Sequence, residues 1–255
     1  MESYRSFVER NWSLYASGQF VPGWHIDAVC SAVEEALGTG RGLVINMPPM
    51  HMGSTLGFGM LAAYALVADP DCRPCSWTYA DGLATQHGRV ARRVVDALAL
   101  DVHRVGSFSL RDATTGTRAN PLVVDTPHAV NAETKHRERM NNRWLEVILT
   151  RRPPVAPWIV IEYRQGENDL TAALLDQRGQ GKFEFEHLVL PAEYEHDHPN
   201  GVSHRDVRRS GEMLWPVRDY ESIRRCFGPF AWSWMWQQRA PKKVDKDVLM
   251  AVEVA

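Results

Sequence analysis

The residues whose types and spacing could do chemistry are Pro49, Met50, His51, Met52, Gly53, Ser54 and Thr55, together with Asp125. The first set follows a short apolar run, Leu43-Val44-Ile45-Asn46-Met47, and leads into an apolar stretch over 56–67. That is the form of a buried strand, a tight turn and a helix start. Pro48 and Pro49 end the run, because neither has an N–H to give to a ladder. Backbone N–H groups at such a helix start attract anions, phosphate above all. Asp125 closes a second apolar run, Leu122-Val123-Val124, in the form of a Walker B strand. In a working ATPase that acid orients Mg²⁺, and a second acid directly after it activates water. Here the next residue is Thr126. A Walker A loop also needs a lysine that reaches the β/γ-phosphates. None is present, and the first lysine of the chain is Lys135.

Other groups carry weaker signals. Arg89, Arg92 and Arg93 share one helix, and Arg92 or Arg93 could act as an arginine finger toward a neighbouring subunit. A solvated helix face explains them as well. Cys72 and Cys75 form half a zinc site with no second pair at a suitable spacing, which favours free thiols. Glu193, Glu195, His196, Asp197, His198 and His204 are metal ligands by type, but their irregular spacing in a polar stretch favours a surface loop. Phe227, Phe230, Trp232, Trp234 and Trp236 suggest core or lid packing. A base-stacking platform would interleave them with Lys or Arg.

The elements that must position these groups alternate. A helix is expected over 24–37 with Ile26, Val29, Val33 and Leu37 on its buried stripe, and a strand over 76–79. Asp81 is expected to cap a helix running to 100, whose buried side would be Leu83, Val90, Val94 and Leu98. Loops, with a hairpin as an option, are expected over 101–120. A strand at 122–125, a helix over 131–150 and a strand at 158–161 follow. A short helix over 169–177, capped by Asn168 or Asp169, and a last strand at 187–190 complete the series. Alternating strands and helices argue for an α/β fold with a mainly parallel sheet flanked by helices. The chain has 255 residues, 44% hydrophobic and 24% charged, with a net charge of −2. That is ordinary for a globular protein and points to no nucleic-acid or membrane field. Its basic residues are 24 Arg and 5 Lys. Four cysteines without a disulfide framework, and no leader sequence, suggest a reducing compartment. No apolar run reaches membrane-span length, so no membrane partner is expected.

The order of these motifs resembles the ATPase half of the large terminase subunit of tailed bacteriophages, the motor that pumps DNA into procapsids. Gly23-Trp24-His25-Ile26 and the run 43–49 resemble the approach to its Walker A. Thr78-Tyr79-Ala80-Asp81-Gly82-Leu83-Ala84 resembles the strand–helix element after it, and Leu122 to His128 its Walker B. Glu167-Asn168-Asp169-Leu170 resembles the coupling motif that links hydrolysis to movement. Gly211-Glu212-Met213-Leu214-Trp215-Pro216 and Trp236-Gln237-Gln238-Arg239 resemble the closing segment.

The resemblance implies a P-loop NTPase-like fold of the additional-strand (ASCE) type, with core residues 1–178, a closing or lid segment 179–240 and a tail 241–255. It implies ATP and Mg²⁺ as cofactors, with Pro49 to Thr55 around the phosphates and Ser54 and Asp125 as metal ligands. Double-stranded DNA, the portal protein, the small terminase subunit and other terminase chains would be partners. Oligomerisation would occur on the procapsid, in the host cytoplasm. The departures cluster on charge. Family members usually have Arg at Met50, Lys at Gly53, a second acid at Thr126, and His and Asp at Gly166 and Asn168. Removing one electrostatic group of this kind costs roughly 3–4 kcal/mol of transition-state stabilisation. Losing a general base costs roughly 10²–10⁴-fold in rate. Impaired or absent hydrolysis, with weak nucleotide binding, is therefore expected. Two alternatives stay open: a pseudo-ATPase module that docks on terminase, portal or a host protein, and a slow ATPase that borrows a basic group such as Arg41. Only 16 residues follow Arg239, so the nuclease domain usual in the large subunit is not expected in this sequence.

Overall fold

The computed structural model describes residues 2–110, 117–129, 132 and 134–240. Among these residues six strands form one sheet: β1 (Gly42–Asn46), β2 (Cys75–Thr78), β3 (Gly106–Ser109), β4 (Leu122–Asp125), β5 (Trp158–Glu162) and β6 (Phe185–Val189). Their order is β3-β2-β4-β5-β1-β6, and every pairing is parallel. β5 is therefore inserted between the loop-bearing β1 and the Asp-ended β4. This is the α/β, P-loop NTPase-like architecture with an additional strand between the two motif strands.

Among the described residues, eight α-helices accompany the sheet: α1 (Tyr4–Arg10), α2 (Trp12–Tyr15), α3 (Trp24–Thr39), α4 (Leu61–Ala68), α5 (Asp81–Ala97), α6 (Thr134–Thr150), α7 (Leu170–Gly179) and α8 (Tyr220–Ala231). Side chains alternate across the strands, as a period of two requires. Leu43, Ile45, Val123, Ile159 and Ile161 face Phe7, Val29, Val33, Leu61 and Val94 of α1, α3, α4 and α5. Val44, Leu122, Val124, Trp158 and Val160 face Trp144 and Ile148 of α6 and Leu170 and Leu174 of α7. Burial on both faces explains why the central strands read as unbroken apolar runs. Each buried large side chain contributes about 1.5–3 kcal/mol. Gly40 ends α3 at φ 72°, and a Cβ there would lie 2.2 Å from the Val155 carbonyl oxygen, so only glycine closes this helix beside that loop.

Three expectations need correction. Among its described residues the stretch 101–120 forms no hairpin: it contains a short helical turn, Val102–Arg104, and the parallel strand β3. β3 is an edge strand with two serines, so it shows no apolar run. Ser107 Oγ instead bonds Ser76 Oγ and the Ala84 carbonyl, both at 2.8 Å. Residues 111–116 of that stretch lie outside the described residues. The buried side of α5 is Ala84, Gly88, Ala91, Val94 and Val95, while Leu83 and Val90 are half-buried. Small residues let α5 approach the sheet edge; a Cβ on Gly88 would stand 3.0 Å from Ser107 Cβ. Asp81 is the first helical residue and makes no side-chain cap, Ala80 standing at the N-cap. The helix expected over 131–150 is described over Thr134–Thr150; residues 131 and 133 lie outside the described residues.

β6 lies beyond residue 178 and is hydrogen-bonded to β1 as a strand of the same sheet. Ala192 binds Leu214 and Trp236 through the backbone, at 2.6 and 2.8 Å, and tethers the closing segment. There Tyr220, Trp232, Trp234 and Trp236 pack with Ala192 and Tyr163 as a separate cluster. The aromatic end is thus packing, as its composition suggested. The tail 241–255 lies outside the described residues. Among the described residues, no helix is long and apolar enough to cross a membrane.

Candidate functional site at the ends of the central strands

Parallel pairing brings the C-terminal ends of β1, β4 and β5 to one edge of the sheet. From β1 the chain turns through Pro48 and Pro49 into a loop in which Met50 and Met52 take positive φ, 62° and 70°. Among the described residues, no backbone N–H from Met50 to Ser54 is paired with a backbone carbonyl. Successive N–H groups in such alternating conformations form an anion-binding concavity. Helical backbone begins at Gly53 and passes through a wide turn, Thr55–Gly59, where the Met60 N–H reaches the Thr55 carbonyl at 2.9 Å. This π-type turn replaces the first part of the regular helix expected over 56–67. Within it Gly57 runs so close to β5 that a Cβ would fall 1.7 Å from Ile161 Cδ1. Tyr4 Oη donates to the Leu56 carbonyl at 2.5 Å, and Thr55 Oγ1 bonds Tyr15 Oη at 2.8 Å. Thr55 is therefore turned toward α2, and Ser54 is the hydroxyl that faces β4.

Asp125 alternates with Val123 onto the loop side of the sheet and is 2% exposed. The Ser54 hydroxyl is in polar contact with its carboxylate and favours the charged form. Thr126 Oγ1 donates to Asp125 Oδ1 at 3.1 Å. His87 Nδ1, from α5, stands 3.7 Å from Asp125 Oδ2. Burial raises the Asp125 carboxyl above the usual carboxylate range, while His87, Ser54 and Thr126 pull it down. Thr126 itself sits at φ 53°, with its N–H on the Ile161 carbonyl at 3.0 Å.

Behind the loop lies a second set of groups. His51 is fully buried, with Nδ1 2.8 Å from the Pro49 carbonyl and Nε2 2.6 Å from Tyr220 Oη. A carbonyl only accepts, so Nδ1 carries the proton and Nε2 accepts from the tyrosine. Burial holds His51 down to about 4 and the adjacent His25 down to about 3, so both are neutral at pH 7. Arg218 donates to the Met50 carbonyl and lies over Trp215, 4.8 Å from the ring centroid. A cleft of about 600 Å³ lined by Trp24, Arg208, Met213, Arg218 and Tyr220 adjoins this corner.

The other sequence candidates fall elsewhere. Arg92 donates to the Val105 carbonyl at 3.2 Å, and Arg93 donates to the Tyr15 carbonyl. Both hold neighbouring segments of their own chain. Arg41 precedes β1 and so lies at the opposite edge of the sheet, about 16 Å of strand away. It cannot serve the loop; Arg218 is the basic group that touches it. Glu167 is exposed, and the Asn168 carbonyl accepts from Asn141 Nδ2 at 3.0 Å. Asp169 is fully buried; it caps α7 through the Ala172 N–H at 2.9 Å and pairs with Arg164 Nε at 2.8 Å. Cys72 and Cys75 are free and buried. In the polar stretch after β6, His198 is buried with Nε2 2.5 Å from the Gln237 carbonyl. Among the described residues, no three His, Cys, Asp or Glu side chains gather as a metal set. Sequence reasoning missed His87, Tyr15 and Tyr220, and read His25 only as part of the run 23–26. His87 lies two residues before Arg89 on the helix of the candidate arginines, but nothing in the sequence ties it to Asp125.

No protein-family model matches the sequence, and no curated protein matches it. Among solved structures, the chain is similar to the large terminase of bacteriophage HK97, at 13% sequence identity and a TM-score of 0.54. The likeness covers 99% of this chain and 51% of that protein, so the chain spans about half the length of the terminase it matches. At this level of identity the likeness is one of fold, and the fold is terminase-like.

Proposed function

We propose that this chain is a viral DNA-packaging protein of the terminase ATPase type, with a nucleotide site impaired in hydrolysis. One observation carries the reading. The helix start at Ser54 and the strand-ending Asp125 meet on one face of the sheet, while Gly53 and Thr126 stand where charge would be needed. The terminase-like fold supports the packaging part. The open N–H groups of the loop would hold phosphate oxygens. Glu162, the carboxylate that ends β5, does not replace the missing acid: it alternates with Trp158 and Val160 onto the α6 and α7 face, where its Oε1 accepts from the Thr171 N–H and hydroxyl, both at 2.6 Å.

The residues present fit a divalent cation. Asp125 Oδ2 is buried and makes no hydrogen bond, and the Ser54 hydroxyl lies beside the same carboxylate. An Mg²⁺-nucleotide would bring the phosphate and the electrophilic assistance; this chain would orient it through Ser54 and Asp125. Around it the loop has no lysine, and its nearest cation, Arg218, is tied to the Met50 carbonyl and to Trp215. Partners proposed from the likeness are double-stranded DNA, the portal, the small terminase subunit and further terminase chains, joined on a procapsid in the host cytoplasm.

The test is Mg-ATP binding and hydrolysis with DNA present, compared with the triple variant Met50→Arg, Gly53→Lys, Thr126→Asp. Weak binding and slow turnover are expected, both rising at least tenfold in the variant. Fast wild-type turnover abolished by Asp125→Ala would overturn the impaired-site reading. No gain in nucleotide affinity would overturn the assignment of the loop.

A further inference from the structure

We propose that His87 and Asp125 together hold a divalent transition-metal ion, with Ser54 beside it, so that the site prefers Mn²⁺, Co²⁺ or Zn²⁺ to Mg²⁺. The inference rests on reading this edge as a cation-assisted nucleotide site, and it specifies the cation. His87 Nδ1 and Asp125 Oδ2 are both buried, and neither has a hydrogen-bond partner. A buried polar atom left without a partner is destabilising, so both atoms call for one. The two atoms face each other at 3.7 Å, too far for a hydrogen bond to join them. An ion at about 2.0–2.2 Å from each would see them about 120° apart, an ordinary ligand–metal–ligand angle. Thr126 Oγ1 occupies the other carboxylate oxygen, Oδ1, at 3.1 Å, and so fixes the orientation in which Oδ2 points at His87.

Ligand chemistry then selects the ion. Mg²⁺ is hard, takes oxygen ligands and keeps several waters. An imidazole nitrogen beside a carboxylate and a hydroxyl suits a first-row transition ion better. α5 can present His87 this closely because Gly88 and Ala84 on its inner face let it settle against the sheet. His87 keeps 13% of its side chain exposed, which gives an ion a path to the buried carboxylate.

The experiment titrates the full metal-free chain with Co²⁺, followed by its visible ligand-field absorption, and with Mn²⁺, Zn²⁺ and Mg²⁺ by calorimetry. Wild type, His87→Gln, His87→Asn and Asp125→Asn are compared, with thermal unfolding to identify any variant that fails to fold. The expected result is 1:1 binding of Co²⁺ and Mn²⁺ at least tenfold tighter than Mg²⁺. His87→Gln and His87→Asn abolish that preference and leave Mg²⁺ affinity within twofold. Equal affinity for Mn²⁺ and Mg²⁺ in the wild type would overturn the proposal. So would ¹⁵N resonances showing a doubly protonated His87 unchanged by Zn²⁺, because the imidazolium would then be the cation. ATP affinity of Gly53→Lys, measured in parallel, separates the two readings. A His87-dependent metal with no gain in ATP affinity keeps the metal site and removes the nucleotide reading. A gain in ATP affinity with metal binding indifferent to His87 does the reverse.

Discussion

Gly53 lies against Ile161: a Cβ added at Gly53 would stand 3.2 Å from Ile161 Cγ2 and 3.3 Å from Met47 Sδ. Both neighbours are ends of side chains, and the methionine is the more adaptable. The position also has helical backbone, where replacing glycine gains about 0.5–1 kcal/mol. Gly53→Lys is therefore expected to fold, with a change in unfolding free energy within about 1 kcal/mol of wild type. Gly57→Ala, one turn on, meets Ile161 Cδ1 at 1.7 Å and is expected to lose about 1–3 kcal/mol by overpacking. Urea unfolding of the two variants side by side checks the contrast. Equal losses would mean that the loop is not seated on β5 as described.

Five histidines whose proton affinity burial lowers set the acid limb of stability. Burial lowers His25 to about 3, His51, His128 and the half-buried His187 to about 4, and pulls His198 down as well. Below their unfolded value of about 6.5 the unfolded chain binds more protons, so unfolding is favoured as pH falls. This stability is complete above about pH 6.5 and is lost progressively down to about pH 4. Both ring nitrogens of His25 lack partners, so His25→Leu removes the cost of burying them and keeps an apolar body against Trp215 and His51. Its expected signature in denaturant titrations is a gain of about 1 kcal/mol or more at pH 5 and a shallower acid limb.

Glu162 works with the opposite sign. Burial and the nearby Asp169 raise its carboxyl to about 8. Between about pH 4.5 and 8 the folded chain holds the extra proton, so this group's contribution falls as pH rises. Glu162→Gln keeps an acceptor for the Thr171 N–H and hydroxyl. Its stability relative to wild type is expected to be near zero at pH 5 and to grow in its favour by pH 8. A flat difference across that range would show that Glu162 is ionised in the folded chain.

What could be read from the residues alone follows from how each element is buried. β1, β4 and β5 are covered on both faces, so Leu43–Ile45, Leu122–Val124 and Trp158–Ile161 spell themselves out. β3 is an edge strand satisfied by serine hydroxyls, and nothing in Gly-Ser-Phe-Ser announces it. The loop and Asp125 could be found because their chemistry is tied to short local spacing. His87, Tyr15 and Tyr220 could not, because each meets the loop or Asp125 through tertiary packing across 38 to 169 residues of chain. Asp169 was legible as a helix cap, and its buried pairing with Arg164 was not.

That pairing distinguishes a structural Asp169 from a mobile one. Arg164 and Asp169 are 4% and 0% exposed, and the carboxylate also accepts the N–H groups of Gln165 and Gly166. Removing one partner of a buried pair strands the other and costs about 3–5 kcal/mol. Asp169→Ala is expected to lose at least that much, since the cap on α7 goes too. Asp169→Asn keeps an oxygen for the Ala172 N–H and is expected to lose clearly less. Equal losses in thermal unfolding would mean that the charge matters and the cap does not.

Tyr220 is the joint between the closing segment and the loop. Its hydroxyl accepts the Trp215 N–H at 2.9 Å and donates to His51 Nε2 at 2.6 Å. His51 in turn donates from Nδ1 to the Pro49 carbonyl, so one phenol fixes the tautomer, the loop and the start of α8 together. Tyr220→Phe keeps the ring contacts with His51 and Trp232 and deletes only the hydroxyl. The buried Trp215 N–H and His51 Nε2 are left unpaired, at about 1–3 kcal/mol each. The expected result is faster amide hydrogen exchange at Met50, His51 and Met52, with β4 and β5 unchanged. A second consequence follows from the sign of the histidine shift: without the hydroxyl, His51 accepts a proton from water more readily, and its titration moves up from about 4. NMR titration of His51 in both proteins measures this. An unchanged His51 with unchanged exchange would show that the loop is held by Arg218 alone.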